Sequence, residues 1–375
     1  MPAERQRRLD AALASAGAWP TRSPWVREAV RALPRHAFAP DRVWVWNGTD
    51  YRPVDRATAP DAWADAVYAG AHDATVTQLA DGRATSSLSG TSIVADMLDS
   101  LRVERGHRVL ELGTGTGWNT SLLARLPTRV DSVEVDPELA ASAAGRIKDH
   151  HLDATVHVGD GAHGWPAGAP YDRVISTYAV DTVPWPWIAQ TRPGGRIVTP
   201  WGHLGHVALT VADDGRSASG WVQGLAQFMP ARHTSTSQAP TSRTYRAVRG
   251  TGPPGEERPF PRELATLHSD WHLRFAVRAR HPHLHLATAT DDDGAHAWLH
   301  DGVASWANIV TTDGRALAYQ GGPRHLADEL AAAWDWWEDA GRPDVYDFGL
   351  TVTPDDQHVW CHDPTTGARW PTPRA

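Results

Sequence analysis

The sequence predicts an α/β fold with a mainly parallel sheet, followed by a C-terminal α+β module. Two observations predict it. Between residues 108 and 200, short apolar runs alternate with helical patterns, a spacing typical of parallel strands joined by right-handed crossovers. With 375 residues, the chain is also long enough for a full α/β domain and a smaller second one.

The region 1–83 is predicted to be helical or irregular and to pack on the domain that follows. Residues 6–32 have the spacing of two short helices, and Ser23-Pro24 is typical of an N-cap with proline at the first helical position. The elements predicted next are an irregular stretch at 41–82 with a helix near 61–68, a hydroxyl-rich loop at 84–91 and an amphipathic helix at 92–101.

The domain predicted at 84–232 contains the regular alternation. Its strands are expected at 109–112, 130–135, 155–158, 173–176 and 195–200, and its helices at 118–126, 138–150 and 185–190. A hairpin at 206–211 and 217–220 would complete the sheet with antiparallel strands.

Residues 233–262 are rich in Thr, Ser, Pro and Gly and are predicted to form a linker or extended arm. In the module at 263–375, a helix at 324–340 carries leucines and tryptophans at helical spacing. These tryptophans are predicted to pack in a core, with peptide docking as the second interpretation. The strands of the module are expected at 271–279, 283–288, 295–299, 303–310, 315–320, 345–353 and 357–361.

Composition argues against several classes of protein. The net charge of -8 and the scattered basic residues argue against a nucleic-acid partner. The single cysteine, Cys361, excludes an internal disulfide, favours the cytoplasm and is predicted to be a packed thiol. The N-terminus lacks the apolar stretch of a signal peptide, and the sequence has no run of 18 apolar residues, so neither a signal peptide nor a membrane span is predicted.

A glycine-rich turn, Gly113-Thr114-Gly115-Thr116-Gly117, follows the strand at 109–112, and a helix opens at Trp118. Ligands of open α/β sheets bind beyond such strand ends. The pattern is G-x-G-x-G, whereas the dinucleotide fingerprint, G-x-G-x-x-G, has its third glycine one position later. The turn therefore indicates a ligand site without indicating a dinucleotide.

Carboxylates at three strand ends indicate which ligand this is. Glu111 would repel a pyrophosphate but attract the sulfonium and ammonium groups of S-adenosylmethionine. Glu134 is placed to accept hydrogen bonds from ribose hydroxyls, and Asp160 from the adenine amino group. The residues thus predict a Rossmann-like class I S-adenosylmethionine-dependent methyltransferase that releases S-adenosylhomocysteine. The alternative is an ordinary turn surrounded by solvated loop carboxylates.

Residues 84–202 also resemble the protein-L-isoaspartate O-methyltransferase family. The segment from Arg35 to Pro40 is similar to the family's R-x-x-F-x-P segment. The other matching motifs are, in order, Ser87-Leu88-Ser89, VLELGTGTGWN at 109–119, SVEVD at 132–136, Gly159-Asp160-Gly161, Ala169-Pro170-Tyr171-Asp172, Val183-Pro184, GGRIV at 194–198 and Pro200-Trp201-Gly202.

The resemblance implies that Ser89 is the catalytic hydroxyl, close to the transferred methyl group and the substrate carboxylate. The alternative for Ser89 is an N-cap of the helix at 92–101, and both roles are compatible with one loop. Gly90-Thr91 replaces the family's usual Gln/Ala-Pro, so a looser loop is expected. The implied donor site comprises Ser87, Leu88, Glu111, Gly113, Thr114, Gly115, Thr116, Gly117, Trp118, Glu134, Val135, Asp160 and Gly161.

The chain continues far beyond the sheet, where family repair enzymes end. In this it resembles the actinobacterial branch associated with lanthipeptide and graspetide pathways. That branch implies esterification of an aspartate in a ribosomal precursor peptide that is already cyclised or cross-linked, leading to aspartimide and isoaspartate, with the C-terminal module recognising the peptide. A general isoaspartyl repair methyltransferase is the alternative, and a non-catalytic binding scaffold with the donor fold is a third hypothesis.

Two further patterns resemble metal sites. His281, His283 and His285 would share one face of a strand, but no local carboxylate or cysteine cluster accompanies them. Asp291 to Gly294 begins like a calcium loop but lacks its terminal glutamate, so a hairpin turn is predicted. No metal is therefore expected.

Overall fold

The computed structural model describes residues 2–202, 204–232, 242–252, 255–312 and 314–372, with the backbone alone at 242–244. The chain divides into two compact units. The first comprises Met1–Gly220, Ala226–Arg232 and Val352–Asp355, and the second comprises Trp221–Leu225, His233–Thr351 and Asp356–Ala375.

The first unit contains a small antiparallel sheet and, after it in the chain, an α/β structure. Its helices are α1 (Pro2–Ser15), α2 (Trp25–Ala32), α3 (Arg35–Phe38), α4 (Pro60–Val67), α5 (Thr91–Leu101), α6 (Trp118–Leu123), α7 (Pro137–Asp149) and α8 (Trp185–Ala189). Its strands are β1 (Arg42–Trp46), β2 (Tyr51–Asp55), β3 (Thr75–Ala80), β4 (Arg83–Leu88), β5 (Arg108–Leu112), β6 (Arg129–Glu134), β7 (Ala154–Val158), β8 (Tyr171–Ser176), β9 (Thr191–Trp201), β10 (Gly205–Val211) and β11 (Ala218–Leu225), whose residues from Trp221 belong to the second unit.

The main sheet has the order β11-β10-β9-β8-β5-β6-β7. Strand β5 runs parallel to both of its neighbours, with Leu110 opposite Asp131 of β6 and Val174 of β8. Strand β10 pairs antiparallel with β9, and β11 lies next to β10, where the hairpin at 206–211 and 217–220 was predicted. Because the chain order reverses on the two sides of β5, the carboxyl end of this strand faces the crevice where ligands of such sheets bind.

The region 41–88 differs from its prediction. It was expected to be irregular and then a loop, but it forms a four-stranded antiparallel sheet of order β2-β1-β3-β4. The hairpin of β3 and β4 turns at Asp81 and Gly82, which have φ of +50° and +73°. An Asp-Gly pair is a strong hairpin signal, since both central residues of a type I′ turn need positive φ. The Asp-Gly signal is present in the sequence, but the hydroxyl-rich residues beside it were predicted to form a loop rather than a strand.

The N-terminal helices share one apolar core with the main sheet. Leu13, Trp63 and Leu98 have 0%, 1% and 0% exposed surface and lie in one buried cluster with residues of β5, β6 and α6. The predicted helices at 6–32 and 61–68 are therefore present and packed. The predicted cap is not, because Pro24 occupies the cap position of α2 and no side chain caps it.

The second unit contains a five-stranded antiparallel sheet of order β12-β16-β15-β14-β13 and a second group of strands, β17 to β19. Its helices are α9 (Ser242–Arg249), α10 (Leu264–Ser269), α11 (Trp271–Arg280) and α12 (Leu326–Asp339). Its strands are β12 (Glu256–Pro259), β13 (His285–Asp291), β14 (Gly294–His300), β15 (Trp306–Thr312), β16 (Arg315–Gly321), β17 (Phe348–Val352), β18 (Gln357–Cys361) and β19 (Arg369–Pro371).

Two predictions fail in this unit. Residues 271–279 form helix α11 rather than a strand, because Asp270 caps it by accepting hydrogen bonds from the amides of His272 and Leu273. Of the predicted linker 233–262, residues 233–241, 253 and 254 lie outside the described residues. The described remainder contains α9 and β12 rather than an extended arm alone.

The candidate metal patterns have structural explanations. Residues 281–284 form a turn between α11 and β13, so the three histidines do not share a strand face. Asp291 pairs with Gly294 across the predicted hairpin turn. Among the described residues, no group of three or more His, Cys, Asp or Glu side chains is arranged to hold a metal ion.

The packing predicted for Cys361 and for the α12 tryptophans is confirmed. Cys361 is buried and free, and burial raises the pKa of its thiol to about 12. Trp334 and Trp337 of α12 are each 3% exposed, which is core packing. In the part of the chain that the structure describes, no helix combines the length and apolar character needed to cross a membrane.

Candidate active site

The glycine turn connects β5 to α6 in a backbone conformation that requires glycine. Gly113, Gly115 and Gly117 have φ of +93°, +54° and +82°. A Cβ at Gly113 would lie 2.6 Å from Thr177 Oγ1, and one at Gly117 would lie 3.1 Å from the Cβ of Ala143 in α7. Alternate residues therefore take the left-handed conformation, and the turn packs closely against two neighbouring segments.

The residues between these glycines point inward. Thr114 and Thr116 are 4% and 5% exposed, and the hydroxyl of Thr114 lies 2.6 Å from that of Ser132 in β6. The side chain of Trp118 is also buried, and its Nε1 donates to the carbonyl of Leu33 at 2.9 Å. These three predicted donor-site residues have buried side chains, which pack beneath the turn and do not face the crevice.

Glu134 ends β6 and faces the turn. Its Oε2 accepts a hydrogen bond from the amide of Gly115 at 2.8 Å, and its Oε1 accepts one from the amide of Asp136 at 3.1 Å. Val135 lies between these two acidic residues. Since a carboxylate has about four acceptor positions, the two amides orient Glu134 and leave capacity for the hydroxyls of a ligand.

Glu111 lies deeper than predicted. It is 0% exposed, and its carboxylate accepts hydrogen bonds from Thr120, from Ser132 at 2.7 Å and from Asn119 at 2.9 Å. Burial raises the pKa of Glu111 to about 7. Glu111 is thus enclosed by residues of α6 and β6, and its predicted attraction for a cationic ligand stays a prediction.

Asp160 and Gly161 follow β7. Asp160 is exposed, and its Oδ1 accepts from the amide of Ala162 at 2.9 Å, which caps a short 3₁₀ turn. Gly161 is buried, and its carbonyl accepts from Nε1 of Trp187 at 2.8 Å. The amide of Gly159 donates to the carbonyl of Glu134 at 2.9 Å, so this segment is joined to the end of β6.

Tyr178 is a site residue that the sequence prediction missed. A Cβ at Gly113 would lie 2.9 Å from the ring of Tyr178, and one at Gly161 would lie 2.5 Å from its hydroxyl. The ring thus fills the space between the two glycine segments at the switch point of the sheet. Burial, with the charges of Asp160 and Glu134 nearby, raises the pKa of Tyr178. The only signal was its position two residues beyond β8.

The hydroxyl-rich segment meets the glycine turn from the other side. A Cβ at Gly115 would lie 3.7 Å from Ser86 Oγ and 4.0 Å from the carbonyl oxygen of Ser87. Leu88 is buried in the core at 2% exposure, and Ser89 is half-buried. The antiparallel sheet thus brings the end of β4 next to the turn, a contact that the sequence pattern did not predict.

The segment after β4 is held more tightly than expected. A Cβ at Gly90 would lie 2.6 Å from the carbonyl oxygen of His72, and Thr91 is fully buried. Gly90 is the residue that caps α5, and no side chain caps the helix. The N-cap alternative for Ser89 is therefore not seen, and the loop is not loose.

Arg232, the last described residue before the gap at 233, connects β3 and β4 to the donor edge. Its guanidinium donates to Gln78 Oε1 at 2.7 Å, to the carbonyl of Thr85 at 3.2 Å and to Asp136 Oδ2 at 3.2 Å. Gln78 Nε2 also donates to Asp136 Oδ2 at 2.8 Å. These hydrogen bonds, the Arg232 network, join the β3–β4 hairpin to Asp136, which lies two residues after Glu134.

Together these elements bring a glycine turn, the two strand-end carboxylates Glu134 and Asp160 and a hydroxyl-bearing segment to the same edge of the sheet. A turn in which every second residue is glycine lets a ligand approach its backbone closely. Glu134 is suited to accept hydrogen bonds from two vicinal hydroxyls. The serine hydroxyls supply neutral donors next to this turn. Such a site suits a nucleoside without phosphate beside a second substrate that carries a carboxylate.

A family described as Protein-L-isoaspartate(D-aspartate) O-methyltransferase matches residues 18–231 of the chain. A protein-L-isoaspartate O-methyltransferase of Anaeromyxobacter dehalogenans strain 2CP-C is 41% identical over 157 residues, which are 41% of this chain and 74% of that protein. One from A. dehalogenans strain 2CP-1 is 48% identical over 118 residues, which are 31% of this chain and 56% of that protein. The second match thus covers little more than half of the relative.

A solved structure of a protein-L-isoaspartate O-methyltransferase superposes with a TM-score of 0.52 at 20% identity, covering 96% of this chain and 100% of that one. At this identity the likeness concerns the fold alone, which is that of class I methyltransferases. The superposition extends into the C-terminal region.

Proposed function

Because the chain belongs to the protein-L-isoaspartate O-methyltransferase family, we propose that it transfers a methyl group from S-adenosylmethionine to a carboxylate of a protein or peptide, with isoaspartate as the favoured substrate. The observation that carries the proposal is the meeting of the Ser86–Ser87 end of β4 with Gly115 of the turn. It puts hydroxyl donors beside the crevice where a nucleoside would lie.

The residues of the crevice fit S-adenosylmethionine. Thr177 and Tyr178 pack against Gly113 so closely that no side chain fits there, and Glu134 is already oriented by two amides. Gly113 to Gly117 would hold the methionine end, Glu134 the ribose and the Asp160-Gly161 segment the adenine. The carboxylates suit a ligand that carries cationic and hydroxyl groups and no phosphate.

Little acid or base chemistry is required of the protein. S-adenosylmethionine, when bound, supplies a methyl group activated by a sulfonium. A side-chain carboxylate has an ordinary pKa of about 4, so the nucleophilic oxygen is ionised at pH 7 without a base. The remaining tasks are to align the carboxylate and to exclude water from it.

Ser89 is the residue proposed to orient the substrate. A hydroxyl that donates to the non-attacking carboxylate oxygen aligns the other oxygen and replaces a water molecule. The half-buried position of Ser89, directly after the core residue Leu88, supports this role. In the methyl ester formed, the nitrogen of the adjacent backbone amide can attack the ester carbonyl, lose its proton and expel methanol to give the succinimide, a step that needs no further residue.

A dedicated precursor peptide is the second candidate for the substrate. Its support is the second unit, most of which lies beyond the residues 18–231 that the family matches and which could recognise a peptide. In that case an aspartate of a modified ribosomal peptide would be esterified. Isoaspartyl repair is favoured because the named relatives are isoaspartate methyltransferases.

One assay separates these candidates. Purified protein is incubated with methyl-labelled S-adenosylmethionine and two synthetic peptides of the same sequence, one with isoaspartate and one with aspartate. We expect base-labile label on the isoaspartyl peptide only, and turnover there would exclude a dedicated precursor enzyme. Label only on a cyclised or cross-linked precursor peptide would overturn the repair proposal. Calorimetric binding of the donor without transfer to any peptide would instead indicate a binding scaffold.

A further inference from the structure

Arg35, the first residue of α3, is a buried cation beside the hydroxyl-rich segment. It is 2% exposed. Its guanidinium donates to the carbonyls of Val67 at 3.0 Å, Leu88 at 3.2 Å, Asp73 at 3.5 Å and Ser89, and to the hydroxyls of Thr75 at 3.3 Å and Thr91 at 3.4 Å. All six of these acceptors are backbone carbonyls or hydroxyls.

The same guanidinium contacts the other side of the site. Its carbon lies 5.2 Å from the centre of the Trp118 ring, and Trp118 is the first residue of α6, directly after the glycine turn. Arg35 is therefore sandwiched between the end of β4 and the start of α6. Two of its nitrogens bind the consecutive carbonyls of Leu88 and Ser89, which fixes the backbone direction on both sides of that peptide bond.

Burial of this cation demands an explanation. Burial lowers the pKa of Arg35 to about 10, so it stays protonated at neutral pH. A buried charge contributes less to stability than apolar side chains of similar volume, unless it orients groups that apolar side chains cannot orient. The planar fork of arginine binds several acceptors at fixed angles, whereas a lysine ammonium has three donors on a flexible stem.

We propose that Arg35 is a positioning residue that holds the Ser87–Ser89 segment against the glycine turn and thereby sets the direction of the Ser89 hydroxyl toward the substrate carboxylate. The inference rests on the proposed function for the role of Ser89. The position of the segment itself is independent of that function and can be measured separately.

The test compares Arg35→Lys with Arg173→Lys. Arg173 is also buried, at 9% exposure, and donates to the carbonyls of Arg102 at 2.9 Å and Asp172 at 2.8 Å. Arg102 directly follows the last residue of α5, whereas Ser89 lies two residues before the first, so Arg173 is a matched guanidinium at the far end of the same helix.

Hydrogen–deuterium exchange of the amides at 86–92 should accelerate in Arg35→Lys and stay unchanged in Arg173→Lys. With an isoaspartyl peptide, kcat/KM should fall roughly 10- to 100-fold in Arg35→Lys and stay unchanged in Arg173→Lys. The double variant R35K/S89A should be no less active than S89A alone, because Arg35 acts through Ser89.

Unchanged exchange at 86–92, an additive loss in the double variant, or the same kinetic loss in Arg173→Lys would overturn the inference. If Arg35→Lys does not fold, Thr75→Val replaces it, since it removes one acceptor of Arg35 with little change of shape and should accelerate the same exchange. If the wild-type protein methylates no peptide, the proposed function fails, and the exchange experiment still decides whether Arg35 holds the segment.

Discussion

The amide of Gly115 donates a hydrogen bond to Oε2 of Glu134 across 2.8 Å. This bond joins the glycine turn after β5 to the end of the neighbouring strand β6. The amide of Asp136 holds the other carboxylate oxygen at 3.1 Å, so the side chain is oriented from both sides by backbone that the fold has already placed. A ligand that needs this carboxylate therefore meets it in a fixed direction.

Replacing Glu134 with Gln should weaken donor binding without unfolding the protein. The variant keeps the shape but loses the charge, and one acceptor that faced a backbone amide becomes a donor. Loss of a hydrogen bond to a charged group corresponds to an increase in the donor dissociation constant of roughly 10- to 100-fold, which calorimetry measures. Glu138→Gln, an exposed residue in the first turn of α7, is the control. Equal affinity in the two variants would remove Glu134 from the donor site.

Ser89→Ala should reduce turnover and leave donor binding intact. The hydroxyl is proposed to contact the substrate carboxylate, so kcat should fall roughly 10- to 100-fold while the donor dissociation constant is unchanged. The control is Ser92→Ala, because the Ser92 hydroxyl is bound to Nδ1 of His72 at 2.8 Å and faces another group. If donor binding collapses in Ser89→Ala, the serine has been assigned to the wrong substrate.

The buried Glu111 should make stability depend on pH. Its ordinary pKa is 4.5, and burial raises the pKa in the folded protein to about 7. Between these values the folded carboxyl binds a proton that the unfolded chain has released. The free energy of unfolding should therefore fall as pH rises through this window, by up to roughly 1.4 kcal/mol per pH unit, and level off above it.

Urea denaturation at pH 5, 6, 7 and 8 measures this contribution by comparison with Glu111→Gln. Between pH 5 and 7 the stability of the variant should fall less steeply than that of the wild type, because a neutral amide does not titrate. The exposed Glu28→Gln should retain the wild-type slope. Identical slopes in wild type and Glu111→Gln would show that the carboxyl titrates in its ordinary range.

Breaking the Arg232 network should weaken donor binding indirectly. Arg232→Ala removes the contacts to Gln78, Thr85 and Asp136, so the hairpin of β3 and β4 is no longer joined to the edge that carries Glu134. A several-fold rise in the donor dissociation constant and faster hydrogen exchange at 75–88 are expected. Arg83→Ala, an exposed arginine on the same hairpin, should change neither. Slower or unchanged exchange in Arg232→Ala would contradict the role of this network.

The sequence by itself determined the parts of the protein that local patterns encode. Apolar runs that alternate with helical spacing were sufficient to predict the strands from β5 to β10 along the chain and the helices between them. The glycines at every second position of the turn indicated a strand end that admits a ligand, because only glycine adopts the required positive φ without strain. The carboxylate at the end of β6 indicated the kind of ligand.

Only the tertiary structure decided what surrounds these residues. Glu111 and Glu134 both follow from a strand-end pattern, yet one is enclosed by Asn119, Thr120 and Ser132 and the other faces the turn. Arg35 and Ser89 are far apart in the chain, and they are in contact only because the antiparallel sheet places the end of β4 next to α3. Burial and hydrogen bonding depend on neighbours that are distant in sequence, and periodicity carries no information about them.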